Sequence, residues 1–334
     1  MNPELRATLA GLYQRCDAWQ GADALLRRSP AQLWFRHRAR SRLAVLGYHG
    51  IEDRSSFEAH LDRLCDRSAP VSLRQVEEAA RGGPPLPPRA VLVTFDDGDV
   101  SVHRDALPAL KARGIPAVCF VVAGLVGTDT PFWWDEVEQL ARAGGTTDLV
   151  PPAAPELLPH TLKLLPERRR REALRQLRDS ARTPVARKPQ LTEVQLRELA
   201  AGGVDIGNHT LTHPCLDRCD DRQVRAEVLD AHRLLTDCLG RPPTAFAYPN
   251  GNTDARVHRL LGEAGYRSGF LYNHRLAHPG ARHPLRIDRL VVSTRASADR
   301  LETILSGLHS TVFALARGAA RAAVRSAQAI RRTS

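Results

Sequence analysis

Residues 91–101 read VLVTFDDGDVS, and this stretch decides the fold. Five mostly apolar, β-prone residues run straight into two adjacent carboxylates and a glycine. A surface loop has no need of the first half, and a buried strand cannot hold the second. Neighbouring carboxylates repel one another, and burying either without a partner is costly. The pattern predicts a buried strand whose C-terminal end carries Asp96 and Asp97, either by accident or with something cationic or protic beside them.

Outward from this strand the same punctuation repeats. LAVLGYHGI (43–51) reads as a strand, Phe57 to Ala80 as one helix with apolar residues at helical spacing, and RGGPPLPPR (81–89) as a turn-rich connector. Residues 105–124 read as a helix, a stop at Gly114 and a buried strand. From 125 to about 190 the rhythm breaks into short helices and proline-rich loops, which predicts an insertion that flanks or lids the core. The alternation resumes with a helix ending at Gly202–Gly203, the strand VDIG (204–207), a helix over 221–239, a strand over 244–249, a helix over 254–264 and a strand over 266–272. Repeated strand–helix units predict a parallel α/β barrel or wound sheet, and both folds place their working residues at the C-terminal ends of strands. Asp96, Asp97 and His209 fall at such ends.

At 334 residues the chain can hold one large α/β domain with insertions. Only 5% of residues are aromatic, so the core must be aliphatic. A formal net charge of +11 favours acidic partners, either anionic lipid, nucleic acid or a phosphorylated substrate. No nucleic-acid-binding motif accompanies the charge, so nucleic acid is not an expected partner. The six cysteines are too irregularly spaced for a disulfide framework, and the N-terminus has acids and no apolar stretch of signal-peptide length. With no run of about 18 apolar residues, the expected address is the cytoplasm, with reduced thiols. Residues 299–334 read as a basic amphipathic helix, with Arg317, Arg321 and Arg325 on one stripe and Phe313, Ala316, Ala320 and Val324 on another. Such a helix suits peripheral contact with an anionic membrane or a phosphorylated carrier, or packs on the barrel with a solvated arginine face.

The second informative stretch is NHTLTHP (208–214). Histidines four apart share one face of a helical turn, and two imidazoles with a carboxylate bind zinc while leaving positions open for water and substrate. A closed site of His209, His213, Cys215 and Cys219 compresses the usual spacing and leaves Asp97 unexplained.

TFDDG (94–98) followed by HTLTH (209–213) resembles the polysaccharide deacetylases of carbohydrate esterase family four, the NodB-homology domain. The resemblance implies an α/β fold, a distorted (β/α) barrel over 41–298 with a helical insertion at about 125–190, between a basic helical extension (1–40) and the C-terminal helix (299–334). It implies one divalent metal, zinc above others, held by Asp97, His209 and His213, with Asp96 as the general base. The third motif, FAYPNG (246–251), departs from the commoner R-x-P-[FY] and is similar to a subgroup with F-A-Y-P-x-G. There Tyr248 would line the site and the N–H of Asn250 would face the oxyanion. FWWDEVEQL (132–140) resembles a segment of the same subgroup, in which Trp133 or Trp134 would stack on a sugar. Leu276-Ala277-His278 matches the L-x-H that usually supplies the acid, but lies in a polar, proline-flanked loop. His49, in the subgroup's Y-H-x-I pattern, is the preferred acid, and Arg286 or Arg289 would restore the positive charge missing beside Asp96. The implied reaction is hydrolysis of the N-acetyl amide of a polymeric, oligomeric or carrier-linked aminosugar. The alternatives are a weakened member that binds sugar or membrane, and a hydrolase of another non-peptide C–N bond.

Overall fold

The computed structural model describes residues 20–280, 283–316 and 318. Its centre is a curled sheet of parallel strands. The strands are β1 (Ala44–Tyr48), β2 (Ala69–Pro70), β3 (Ala90–Phe95), β4 (Ala117–Val121), β5 (Val204–Asn208), β6 (Ala245–Ala247), β7 (Ser268–Phe270) and β8 (Leu290–Val291). Their spatial order is β7-β6-β5-β4-β3-β1-β8, with β2 attached to β3. β1 and β3 through β5 are buried along almost their whole length, as strands covered on both faces must be. Ile287 bridges Phe270 while Leu290 and Val291 pair with Leu46 and Gly47, so the segment 287–291 draws the sheet round into a distorted (β/α) barrel.

Helices α1 (Gln20–Arg28), α2 (Pro30–Ala39), α3 (Arg54–Arg67), α4 (Leu73–Ala80), α5 (Leu107–Arg113), α9 (Glu193–Ala201), α10 (Asp221–Leu239), α11 (Ala255–Glu263) and α12 (Ala298–Ser306) surround the strands. The segment expected as one helix from Phe57 to Ala80 is instead α3, β2 and α4. Pro70 has no N–H to continue a helix and pushes Ala69 toward extended backbone. Ser72 and Gln75 then start α4 with a reciprocal capping box. At the other end, Gly307 adopts φ 80 and closes α12, so the helix expected over 299–334 is interrupted there, and 308–316 is a separate helical stretch. The arginine stripe from Arg317 onward lies outside the residues whose side chains are described.

The insertion forms α6 (Trp133–Arg142), α7 (Leu158–Leu162) and α8 (Glu167–Ser180). It has its own apolar cluster, Val137, Leu140, Leu162, Ala173, Leu174 and Leu177 among others. The insertion is therefore a packed subunit of structure lying against one side of the barrel's open end.

Candidate active site

The C-terminal ends of β1, β3, β4 and β5 lie level with one another, held by Asp96 N–H to Tyr48 O (2.9 Å), Val122 N–H to Asp97 O (3.2 Å) and His209 N–H to Val121 O (3.0 Å). Each strand therefore releases its next side chains into the same mouth. β3 releases Asp96 and Asp97. Asp97 takes φ 69, a left-handed conformation that costs energy in a non-glycine residue and recurs at functional sites. Gly98 follows at φ 82, where an added Cβ would meet Val121 Cγ1 at 3.2 Å. The glycine after the two carboxylates is thus required by both backbone and space.

β5 releases His209, and His213 follows after a turn. The turn is not the helix that the four-residue spacing predicts, since Thr210 (φ 71) and His213 (φ 59) are left-handed. Asn208 Oδ1 accepts from Thr210 N–H and Thr210 Oγ1 from His213 N–H, which folds the turn back on itself. The imidazoles still come together, with ring centroids 4.8 Å apart. Glu227 of α10 holds the turn's outer edge, accepting from the N–H (2.8 Å) and the hydroxyl (2.6 Å) of Thr212. Arg171 of α8 bonds Glu227 at 3.0 Å, and Trp133 of α6 donates to His213 O at 3.2 Å. The insertion thereby buttresses the second histidine.

Asp97, His209 and His213 form one buried cluster. Asp97 Oδ1 lies 3.4 Å from both His209 Nε2 and His213 Nε2, and has no hydrogen-bond partner among the described residues. His209 Nδ1 donates to Ala247 O at 2.8 Å, and a carbonyl can only accept. In the neutral ring the Nε2 lone pair therefore faces a carboxylate oxygen, an arrangement that calls for a cation between them. A separation of about 3.4 Å also matches the edge of a tetrahedron with metal–ligand bonds of about 2.0–2.1 Å. The residues fit a divalent metal. Burial pushes His213 down to about 3, so its ring is neutral and ready to ligate. Burial alone would raise Asp97, but His209 and His213 outweigh it and hold the carboxyl below its usual range.

Asp96 is not bonded to the cluster in the same way. Its two oxygens accept from Arg289 Nη1 (2.6 Å) and Nη2 (2.7 Å), a bidentate pair in which the arginine is fully buried. Arg289 also donates to Leu271 O and Thr94 Oγ1 and lies between the Phe120 and Tyr272 rings. Burial would raise the Asp96 carboxyl, but Arg289 and His209 overcome it and keep it below the ordinary value. Of the two arginines expected to restore charge here, Arg289 does so, whereas Arg286 is exposed.

Among the other predicted residues, His49 follows β1 with Nε2 4.0 Å from Asp97 Oδ2, half-exposed and edge-on to Tyr272. Trp134 packs against His213, ring centroids 4.7 Å apart, and stacks on Phe132. Asn250 lies in the turn after β6 at φ 59, its amide 3.5 Å from Cys215 Sγ. Tyr248 does not line the mouth. It is fully buried with Phe246, Leu216 and Val257, and its hydroxyl donates to Leu285 O. Side chains alternate across a strand, so Tyr248 shares a face with Phe246 while Ala247 packs on the other with Phe120 and Phe270, and it is the Ala247 carbonyl that orients His209. His278 is exposed and, among the described residues, bonds Gly280. Cys215 and Cys219 stay outside the ligand cluster, and burial raises both thiols. Sequence reasoning missed Glu227, although an acid on the buried Val224–Val228–Ala231 stripe of α10 is a readable sign of a buried partner. It also missed Lys163 after α7, whose ammonium burial pushes down while Cys215 and Asp97 pull it up.

This fold and ligand cluster define a family. The polysaccharide deacetylase model matches residues 83–149 and 152–269, more than half of the chain, and the chain belongs to that family of hydrolases. Poly-beta-1,6-N-acetyl-D-glucosamine N-deacetylase of Escherichia coli K12 is 50% identical over 89 residues, covering 22% of this chain and 13% of that protein. The Bacillus subtilis protein YxkH is 22% identical over 251 residues, covering 71% of this chain and 66% of its own length. The chain thus spans less than two thirds of either relative. Two solved structures share the fold, a Streptococcus pyogenes deacetylase, PplD, in complex with acetate (TM-score 0.56, 18% identity, 79% of this chain and 98% of that one) and IcaB from Ammonifex degensii (TM-score 0.55, 23% identity, 80% and 97%).

Proposed function

We propose that the chain is a zinc-dependent deacetylase that removes acetyl from the amide of a polymeric, oligomeric or carrier-linked N-acetylaminosugar. The observation that carries this reading is an Asp96 carboxylate kept ionised by a buried Arg289 beside the Asp97–His209–His213 cluster. When bound, the metal supplies an acidified water and a polarised amide carbonyl. Asp96 accepts the proton of the attacking water, and Arg289 holds that carboxylate in place and in its basic form. His49, across the mouth, delivers a proton to the departing amine. The Asn250 N–H donates to the oxyanion, as backbone donors do in acyl transfer. Trp134, packed on His213, offers an apolar wall to the acetyl methyl or sugar face.

The intact set of five polar residues favours this enzyme over a weakened, sugar-binding member. Local identity to the Escherichia coli enzyme favours an N-acetylglucosamine-type sugar. Cytoplasmic residence belongs to the same proposal, on the ground that the five described cysteines are unpaired. No helix among the described residues is long and apolar enough to cross a membrane. The test is acetate release from N-acetylated polymers, oligomers and carrier-linked sugars, with metal stripped and zinc restored, beside Asp96→Asn. Zinc-dependent release that Asp96→Asn abolishes supports the reading, and release that survives the substitution overturns it.

A further inference from the structure

The opposite end of the barrel carries an arginine-lined hollow. A hollow of about 440 Å³ at the N-terminal ends of β1–β3 is lined by Arg36, Arg40, Arg42, Arg67 and Arg89. Arg42, Arg67 and Arg89 precede β1, β2 and β3, while Arg36 and Arg40 come from the end of α2. Among the described residues none of the five guanidiniums reaches a carboxylate. The one acid among the described residues that line the hollow, Glu302, is paired with Arg63 at 3.3 Å. Elsewhere on this arginine-rich chain, ion pairing is common, for example Arg171 with Glu167, Arg178 with Glu136 and Arg256 with Asp221. Five like charges around one concavity repel each other unless an anion joins them.

Two neighbouring features say which anion. A second hollow of about 770 Å³ shares Arg40, Arg42 and Arg89, and its wall is apolar, with Pro85, Leu86 and Pro87. On α2, Leu33, at the rim of the arginine hollow, is 71% exposed and Trp34 is 54% exposed, with Arg38 over the indole at 4.6 Å. Guanidiniums matched to phosphate, an adjoining apolar slot, and an exposed tryptophan and leucine form the combination that seats at a membrane interface. A nucleic acid would leave the apolar slot and the leucine unused. We propose that this face binds the phosphates of anionic phospholipids and seats the barrel's base on a membrane surface. The catalytic mouth, at the other ends of the same strands, then opens away from the lipid toward a water-borne glycan. This docking does not depend on the deacetylase reading or on the C-terminal helix.

The full chain would be sedimented with phosphatidylcholine vesicles with and without phosphatidylglycerol. Arg40→Glu/Arg42→Glu/Arg89→Glu is compared with Arg222→Glu/Arg225→Glu/Arg259→Glu, an equal charge change at exposed arginines that line neither hollow. A basic side chain at an anionic surface is worth about fivefold in partition, so the base variant should bind at least about a hundredfold more weakly than wild type while the control keeps most of its binding. Leu33→Ser/Trp34→Ser should weaken binding several-fold with all charges kept. Equal loss in both charge variants would reduce the effect to net charge and overturn the site. So would absence of binding to phosphatidylglycerol vesicles, retention by single-stranded DNA alone, or binding of inorganic phosphate at the same arginines without vesicle binding. Zinc content and circular dichroism of each variant show that the fold is kept.

Discussion

Arg289 is the residue whose loss tests the site most sharply. Replacing it with methionine keeps much of the volume but removes the charge from a position with no solvent exposure. Two charge-assisted bonds to Asp96 disappear, together with the donor to Leu271 O and the bond to Thr94. Breaking a buried ion pair from one side costs about 3–5 kcal/mol, because the remaining charge is left without compensation. The stranded group, Asp96, is itself buried beside Asp97. Urea unfolding of Arg289→Met should therefore show a loss of at least about 3 kcal/mol. Desolvation would then dominate at Asp96, so the acid limb of the kcat profile should move to higher pH, with zinc content unchanged. Asp96→Asn/Arg289→Met removes both charges and should be more stable than Arg289→Met alone, giving a coupling of about 2 kcal/mol or more in the double-mutant cycle. A single variant within about 1 kcal/mol of wild type, with an unmoved pH limb, would refute the claim that Arg289 sets the state of Asp96.

Three further outcomes are expected. His49→Ala should lower kcat on the order of 10²- to 10⁴-fold with zinc content intact, and a change in zinc content instead would reassign His49 as a ligand. Glu227→Ala leaves the Thr212 N–H without its acceptor, at about 1–3 kcal/mol, and should weaken zinc affinity about 10- to 100-fold, measured by chelator competition; unchanged affinity would separate Glu227 from the ligand turn. In the metal-free protein, burial lowers His209 but Asp96 and Asp97 overcome it and raise its pKa above the ordinary value. Since metal requires the neutral ring, zinc affinity should fall about tenfold per pH unit below that raised pKa, with one proton released per ion in calorimetry. An affinity flat between pH 6 and 8 would contradict the raised His209.

The sequence spoke clearly wherever the signal was local. The β3 run, its two carboxylates and its glycine are contiguous, so their meaning could be read from eleven residues. The ligand spacing of His209 and His213 was legible, but the backbone that achieves it was not, because left-handed conformations at Thr210 and His213 depend on side-chain bonds that a periodicity does not encode. The apolar spacing over 57–80 hides the break at Pro70, a signal the one-helix reading leaves out. The motif position of Tyr248 points to the mouth, whereas facing is set by strand alternation, which a three-residue strand barely displays. Arg289 could be named only as one of two choices. Its contact with Asp96 spans 193 residues, and only the closed barrel brings the two together.

That separation has a consequence for how the protein comes into being. Asp96 leaves the ribosome 193 residues ahead of its counter-charge, which lies on the short segment that seals the sheet between β7 and β1. Until that seam forms, an inward-facing Asp96 has no guanidinium beside it and is better accommodated protonated. On the proposed reading, a nascent or truncated chain lacking the seam would gather Asp97, His209 and His213 around an ion but leave Asp96 without the charge that keeps it ionised. If Asp96 is the base proposed above, the closing segment works as an interlock that makes hydrolysis conditional on a finished barrel.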